Sequence, residues 1–276
     1  MTKADFSQIL ALINELALAA GAVIHEMREN QSFELSFKSE TNLLTTADLK
    51  AEEIIIAGIK EHFPDDQILA EETQATLTAI NPDQGLWIID PIDGTTNYAY
   101  GLRDVGVSIA YALHGSVQVG LVHNPFTQET FHAVKGNGAF LNGTKINCGN
   151  CQELSRALVV TGFPYNREIR KRAIPVAGIV TEKCRDLRRL GAASLDICYV
   201  ACGRLDAMYE SLSPWDIAAA VLIAKEAGAV VQYSLRQTDQ QALIPDLASH
   251  GLVIGNQKIA SDLKDLIISA ATQGRV

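Results

Sequence analysis

The sequence of 276 residues lacks the features that mark disordered, fibrous or membrane proteins. It has no low-complexity segment, and aromatic residues make up only 6% of it. Hydrophobic residues reach 47% and charged residues 20%, so the chain can bury a substantial core. The composition excludes general disorder, and the length predicts one large domain or two closely fused ones.

The N-terminus lacks the uninterrupted apolar run of a signal peptide, because Asp5, Asn14 and Glu15 break it. Its apolar residues recur every three or four positions from Phe6 to Ile24, which predicts an amphipathic helix. We therefore expect a cytoplasmic protein without a membrane-spanning segment.

The chain also lacks a complete cysteine framework. Five cysteines is an odd number, and with no secretory signal this favours free thiols over disulfides. Cys148 and Cys151 have the spacing of half a zinc ribbon, but Cys198 and Cys202 lie on a predicted helix and do not supply the second half. A structural zinc site is not expected.

Positive charge is in short supply, since the formal net charge is −9. This disfavours nucleic-acid partners unless a local basic patch overrides it. The two basic runs, at 167–172 and 183–189, contain no interleaved aromatic residues that could stack on bases. We interpret both runs as solvated surface or a subunit contact and expect no nucleic-acid partner.

Helical and strand patterns alternate along the chain, which predicts a layered α/β or α+β fold. Short β-rich runs with antiparallel character dominate the first half, and the boundary between two lobes is expected near 150–156. The predicted helices cover about 6–24, 47–62, 167–184, 194–201, 214–227 and a last segment from Ser261. The predicted strands cover 67–70, 86–89, 105–113, 116–123, 129–134, 157–161, 186–190, 206–210, 229–233 and 252–255.

The segment WIIDPIDGTTNYAYG, residues 87–101, is the densest cluster of chemically useful residues. Asp90 ends an apolar strand, and Asp93 lies across a turn that Pro91 is expected to fix. Helix capping or solvation would explain either acid alone. Two buried carboxylates facing one point would repel each other, however, and a divalent cation relieves that repulsion. Oxygen ligands without histidine or cysteine favour Mg²⁺, with Mn²⁺ as the alternative.

The residues after Asp93 are typical of an anion site. Gly94 allows close backbone approach, and Thr95 is predicted to start a helix, where free N–H groups attract phosphate. A further acid, Glu71, follows a strand in AEET, and Asp216 lies in the first turn of a helix in SPWD, where capping also explains it. A cation site beside an anion site indicates phosphate chemistry.

Four blocks together resemble the inositol monophosphatase family of Mg²⁺-dependent, Li⁺-sensitive phosphatases, and in particular bacterial-type inositol-1-monophosphatases. The blocks are WIIDPIDGTTN, AEET, LLTTADLKAEEII and SPWDIAAAVLIAKEAGAVV, and the resemblance extends over about residues 6 to 260. It implies an αβαβα sandwich of the type shared with fructose-1,6-bisphosphatase, and commonly a homodimer. In this interpretation a lobe at 1–153 carries most metal ligands, and a lobe at 154–276 supplies Asp216 and substrate contacts.

The resemblance also implies residue roles. The site would hold two or three Mg²⁺ ions, and Asp90 would bridge two of them. The metal ligands would be Glu71, Asp90, the carbonyl of Ile92, Asp93 and Asp216. The catalytic residues would be Glu71, Thr95 and Asp48, with Thr95 and Asp48 orienting and helping to deprotonate water. Substrate contacts would come from Asp93, Gly94, Thr95, Ala193, Glu210 and Asp216. Lys38 matches a lysine near the site.

Three positions depart from the family pattern: Ala192 replaces a frequent Ser or Thr, Asn42 a frequent Asp, and Glu210 lies one residue closer to Asp216 than expected. The expected substrate is inositol 1-phosphate. Fructose 1,6-bisphosphate, histidinol phosphate and 3′-phosphoadenosine nucleotides remain alternatives, although Thr96-Asn97 disfavours the nucleotides. An alternative of another class is a metal- or ligand-sensing binding protein.

Overall fold

The computed structural model describes residues 6–73, 77, 79–234 and 244–272. Within these residues the helices are α1 (Phe6–Glu29), α2 (Thr46–His62), α3 (Thr95–Tyr100), α4 (Arg167–Thr181), α5 (Ala193–Ala201), α6 (Pro214–Glu226) and α7 (Gln257–Thr272). The strands are β1 (Leu35–Ser39), β2 (Asn42–Thr45), β3 (Gln67–Ala70), β4 (Leu86–Asp93), β5 (Gly106–Leu113), β6 (Ser116–Asn124), β7 (Glu129–Val134), β8 (Ala139–Leu141), β9 (Thr144–Ile146), β10 (Leu158–Val160), β11 (Asp186–Arg188), β12 (Ala207–Glu210), β13 (Val230–Tyr233) and β14 (Leu252–Gly255).

The elements stack in five layers. A seven-stranded sheet has the order β3-β4-β5-β6-β7-β8-β9, and a five-stranded sheet has the order β11-β10-β12-β14-β13. Helices α1 and α2 cover the outer face of the larger sheet, α5 and α6 lie between the sheets, and α4 and α7 cover the outer face of the smaller one. The predicted αβαβα sandwich and the antiparallel character of the first half are confirmed.

Burial explains why these segments form these elements. The predicted stripe on α1 is buried, including Ile9, Ile13 and Ile24, and the helix packs on α2, β5 and β6. By length and composition alone α1 could cross a membrane, but this stripe is part of a protein core. Every residue of β4 is buried, because helices cover both faces of the sheet.

The structure corrects the predicted turn at Pro91. Strand β4 does not end at Ile89 but continues to Asp93, and its register against β5 shifts between Asp90 and Asp93. A bulge accommodates proline in a strand, because the missing N–H falls where the ladder is already interrupted. The bulge, rather than a turn, therefore sets the relative directions of the two acids.

The prediction also missed strands β1, β2, β8 and β9 and began the last helix too late. Residues 35–45 form the antiparallel hairpin β1–β2. Apolar and polar residues alternate along Leu35-Ser36-Phe37-Lys38, but this strand is exposed along its whole length, so the alternation does not mark a buried face. Helix α7 begins at Gln257 rather than Ser261, because the Asn256 side chain accepts the N–H of Ile259 at 3.0 Å and starts the helix earlier.

The division into lobes at 153 and 154 stays a prediction. The larger sheet is built from residues 67–146 and the smaller from residues 158–255. All five cysteines have free thiols.

Candidate active site

A cavity of about 520 Å³ lies where β3 and β4 end and where α3, α5 and α6 begin. It brings together nearly all the predicted site residues, although they are spread over 146 positions of sequence. Its lining includes Glu71, Asp90, Ile92, Asp93, Gly94, Thr95, Ala193, Glu210 and Asp216. Asp48 and Lys38 reach the same residues from outside this lining.

Three carboxylates form the centre of the cavity. One oxygen from each of Glu71, Asp90 and Asp216 lies within 4.8 Å of the other two. Burial, reinforced by the neighbouring carboxylates, raises the pKa of Asp90 and Asp216 well above the ordinary range. A divalent cation would compensate this concentrated negative charge, and the all-oxygen donor set fits Mg²⁺ or Mn²⁺.

The bulge in β4 orients the next ligand candidate. The N–H of Ile92 donates to Asp90 Oδ1 at 3.1 Å, which holds the Asp90 carboxylate against its own strand. The carbonyl of Ile92 accepts the Thr95 hydroxyl at 3.1 Å. Gly94, between them, has a φ of +91° and serves as the N-cap of α3, a left-handed conformation that side chains disfavour.

Asp93 turns toward the start of α5. Its carboxylate accepts the N–H of Ala193 at 3.1 Å, and the N–H and hydroxyl of Ser194 at 2.6 and 2.5 Å. Ala192, the N-cap of α5, has no side-chain oxygen for this task, so Asp93 caps the helix instead. Asp93 is not one of the three acids within 4.8 Å, and its role as a metal ligand stays a prediction.

A buried hydroxyl and carboxylate form a second functional pair. Thr95 Oγ1 lies 3.1 Å from Asp48 Oδ1, and Asp48 is fully buried. The other oxygen of Asp48 accepts the N–H and hydroxyl of Thr45, at 2.8 and 2.5 Å, as part of a capping box on α2. Burial raises the pKa of Asp48 to about 6.

Asp216 combines the two interpretations made from sequence. It lies in the first turn of α6, after Pro214, and its Oδ2 accepts the N–H of Ser213 at 2.8 Å. A carboxylate has two oxygens that can each accept or coordinate, and one oxygen of Asp216 belongs to the cluster with Glu71 and Asp90. Capping and metal binding are therefore compatible.

Lys38 supplies a cation to the site from the β1–β2 hairpin. Its ammonium lies 2.7 Å from Glu71 Oε1 and 2.7 Å from Glu72 Oε1. Burial opposes the charge on Lys38, but the two glutamates outweigh it and raise the pKa of the ammonium. Burial also opposes the charge on Glu72, and for this carboxyl group it raises the pKa, to about 7.

The expected substrate contact Glu210 lines the cavity together with two residues that the sequence did not single out, Asp196 and Arg189. Burial raises the pKa of Glu210 to about 8 and that of Asp196 well above its usual range, while Arg189 lowers both. The run 183–189 is thus only partly the solvated surface that was expected. An arginine two residues before a glycine in a loop, at LRRLG, was the available signal for Arg189.

Two more residues near the site escaped the sequence analysis. Ser194 binds Asp93, and its position at the start of a helix after two alanines was a detectable sign of capping. Glu52 lies four residues after Asp48 on α2, on the same face of the helix, and is fully buried. That spacing in LLTTADLKAEEII could have identified it.

Comparison with known proteins agrees with this geometry. A model of the inositol monophosphatase family matches residues 5–274. The chain belongs to this family. The inositol monophosphatase family assignment supports a metal-dependent phosphatase of small phosphate monoesters.

Relatives within the inositol monophosphatase family carry two different kinds of name. The chain is 37% identical to an inositol-1-monophosphatase of Synechocystis over 265 residues, which cover 95% of this chain and 90% of the relative. It is 38% identical to the Nus factor SuhB of Pasteurella multocida over 218 residues, 78% of this chain and 81% of the relative. The structure of an inositol monophosphatase from Anabaena superposes with a TM-score of 0.79 at 34% identity, covering 96% and 97% of the two chains.

Proposed function

We propose that the protein hydrolyses a small phosphate monoester in a Mg²⁺-dependent reaction, with inositol 1-phosphate as the preferred substrate. The convergence of Glu71, Asp90 and Asp216 oxygens within 4.8 Å of one another is the observation that carries this proposal. Beside them stands the Thr95–Asp48 pair, which a site for metal binding alone does not require. Mn²⁺ is the alternative ion for the same oxygen ligands.

In the proposed reaction, protein oxygens hold the cations and a hydroxyl holds the attacking water. The ligands of two or three ions would be Glu71, Asp90, the carbonyl of Ile92, Asp93 and Asp216. Bound Mg²⁺ would stabilise charge on the phosphoryl oxygens and make water a better nucleophile. Thr95, held by Asp48, would accept a hydrogen bond from that water. Asp48 has a pKa of about 6, which suits assistance to proton removal near neutral pH.

Glu210, Asp196 and Arg189 favour a polyol as the alcohol part of the substrate. Burial raises the pKa of Glu210 to about 8 and that of Asp196 well above its usual range, so both side chains are largely protonated near neutral pH. A carboxylic acid both donates hydrogen bonds to hydroxyl groups and accepts them, and the Arg189 guanidinium donates to a hydroxyl oxygen. This chemistry supports inositol 1-phosphate, but Arg189 can also bind a second phosphate, so fructose 1,6-bisphosphate stays in competition. Gly94 and Thr95 would contact the phosphate, and Asp93, Ala193, Glu210 and Asp216 the alcohol.

Other substrates and one other class remain in competition. Histidinol phosphate and 3′-phosphoadenosine nucleotides share the phosphate ester that the site would hold. The relative named Nus factor SuhB keeps open a binding role in which hydrolysis is secondary, with a protein or nucleic-acid partner. The net charge of −9 argues against a nucleic-acid partner. We further propose that the protein is a cytoplasmic homodimer. Light scattering on the purified chain would test the dimer, and cell fractionation would test the location.

A substrate panel decides among these possibilities. Phosphate release would be measured from inositol 1-phosphate, fructose 1,6-bisphosphate, histidinol phosphate and 3′-phosphoadenosine 5′-phosphate, each with Mg²⁺, with chelator, and with Li⁺ against Na⁺ at equal ionic strength. Asp90→Asn removes a central ligand and is expected to lower turnover at least about 100-fold, or ~2.7 kcal/mol. Asp83→Asn is the matched control, because Asp83 is 82% exposed and away from the cavity.

The expected result is Mg²⁺-dependent, Li⁺-inhibited release that is fastest with inositol 1-phosphate and lost in Asp90→Asn only. Faster release from another ester would retain the site and replace the substrate. Absence of release from every ester would favour the binding role.

A further inference from the structure

Within the part of the chain that the structure describes, the buried carboxylate of Glu52 accepts its hydrogen bonds from one turn beside the acidic cluster. It lies on α2 with no exposed surface. Its Oε2 accepts the N–H of Glu72 at 2.9 Å, and its Oε1 accepts the N–H of Thr73 at 2.9 Å together with the Thr73 hydroxyl. The acceptors lie some twenty residues before their donors in sequence, so this contact is tertiary and not a local turn.

The turn held in this way presents Glu71 to the cavity. On its other side, the N–H of Glu71 donates to the carbonyl of Ile89 at 3.2 Å, which extends the β3–β4 pairing by one residue. The backbone of Glu71 is thereby fixed between β4 and Glu52. The direction of its carboxylate toward Asp90 and Asp216 follows from both anchors.

Helix α2 therefore supports the site at two consecutive turns of one face. Asp48 holds Thr95, and Glu52, four residues later, holds the turn that carries Glu71. We propose that Glu52 is a positioning residue that sets the geometry of Glu71 and, through it, the affinity of the site for its divalent cation. This inference rests on the proposed metal-dependent function. Groups that orient metal ligands without touching the metal commonly change affinity 10- to 100-fold when removed.

The test is direct Mn²⁺ binding, followed by electron paramagnetic resonance of the free ion, with the metal-stripped full-length protein. Glu52→Gln keeps the size of the side chain but has one acceptor oxygen, and its amide presents a donor to one of the two N–H groups. Glu226→Gln is the matched control, because Glu226 also accepts two backbone N–H groups, from Gly136 and Gly138 at 2.8 Å each, away from the cavity.

We expect Glu52→Gln to raise the Mn²⁺ dissociation constant about tenfold and Glu226→Gln to leave it within about twofold of the wild type. At saturating metal, turnover by Glu52→Gln should recover to near the wild-type value, since Glu52 touches neither substrate nor cation. Thr73→Val removes the hydroxyl donor to the same carboxylate and should weaken Mn²⁺ binding in the same direction by a smaller factor. If Glu52→Gln does not fold, Mn²⁺ binding by Thr73→Val becomes the test of the positioning role.

If Glu52→Gln leaves the Mn²⁺ dissociation constant unchanged, the positioning role is overturned, even if the variant has a lower melting temperature. If Glu52→Gln does not fold, an unchanged dissociation constant in Thr73→Val has the same consequence. That outcome leaves the proposed function intact, because the wild type would still bind Mn²⁺. A wild type that binds no Mn²⁺ would instead remove the proposed metal site, and the role of Glu52 with it.

Discussion

Replacing Asp48 by asparagine should separate stability from activity. The oxygen of the asparagine amide can accept the N–H and hydroxyl of Thr45, as Asp48 Oδ2 does at 2.8 and 2.5 Å. In the wild type, Thr95 Oγ1 lies 3.1 Å from Asp48 Oδ1. In the variant, the asparagine N–H₂ can donate to Thr95 Oγ1, and the Thr95 hydroxyl can donate to the carbonyl of Ile92 as it does in the wild type. All polar groups stay paired, so the variant should fold.

The stability effect follows from the pKa of Asp48. Burial raises this pKa from 3.8 to about 6. Because the folded pKa lies above the unfolded one, the charged form is disfavoured in the folded protein. Relative to low pH, stability is therefore lost as the pH rises through about 4 to 6, by roughly 3 kcal/mol at 1.36 kcal/mol per pKa unit. Asp48→Asn should escape this loss.

The assay is urea unfolding of the metal-free protein at pH 4.5 and pH 8, with wild type, Asp48→Asn and the exposed control Asp83→Asn. We expect the stability of Asp48→Asn relative to wild type to improve between the two pH values by about 2 kcal/mol, because about a third of the full effect is already complete at pH 4.5. Turnover at saturating Mg²⁺ should fall by roughly 100-fold or more, the usual contribution of general-base assistance. A stability difference that does not change with pH would refute the electrostatic reasoning, and wild-type turnover would refute the catalytic role.

Two further perturbations test the surroundings of the site. Lys38→Gln should tighten Mg²⁺ binding about two- to fivefold in calorimetric titration, because the ammonium 2.7 Å from Glu71 Oε1 competes with the cation. The surface variant Lys258→Gln should leave binding unchanged, and weaker binding in Lys38→Gln would mean that the lysine supports the site instead. Gly94→Ala should destabilise the protein by about 2 kcal/mol more than Gly136→Ala in thermal unfolding. Both glycines have positive φ, +91° and +84°, but only at the first would a methyl group meet a backbone oxygen at 2.9 Å; equal losses would contradict this steric argument.

Local patterns predicted much of the fold. The apolar period of α1 and the Ser-Pro-x-Asp start of α6 depend on nearest neighbours in sequence, and both elements appear where they were expected. The turn at Pro91 was wrong for the same reason. A proline followed by a glycine three residues later has the local signature of a turn, and only pairing with β5 keeps this segment in the sheet as a bulge.

The hairpin β1–β2 was missed because its contacts are made outside itself. Apolar and polar residues alternate in its first strand, but Leu35 and Phe37 are 53% and 68% exposed, so the alternation does not follow a buried face. Contacts such as that of Lys38 with Glu71 hold it over the site, across 33 positions of sequence. No local pattern encodes such a contact.

The sequence by itself determined the family, the layered fold and the identity of the acids, because capping, periodicity and the DPIDGTTN block are local or family-wide patterns. Only the tertiary structure decided which carboxylates converge: Glu71, Asp90 and Asp216 meet within 4.8 Å, whereas Asp93 turns to cap α5. It also revealed Glu52 and Arg189 beside the site. The physical reason is that the direction of a buried carboxylate depends on which N–H and hydroxyl groups the packing of distant elements brings to it.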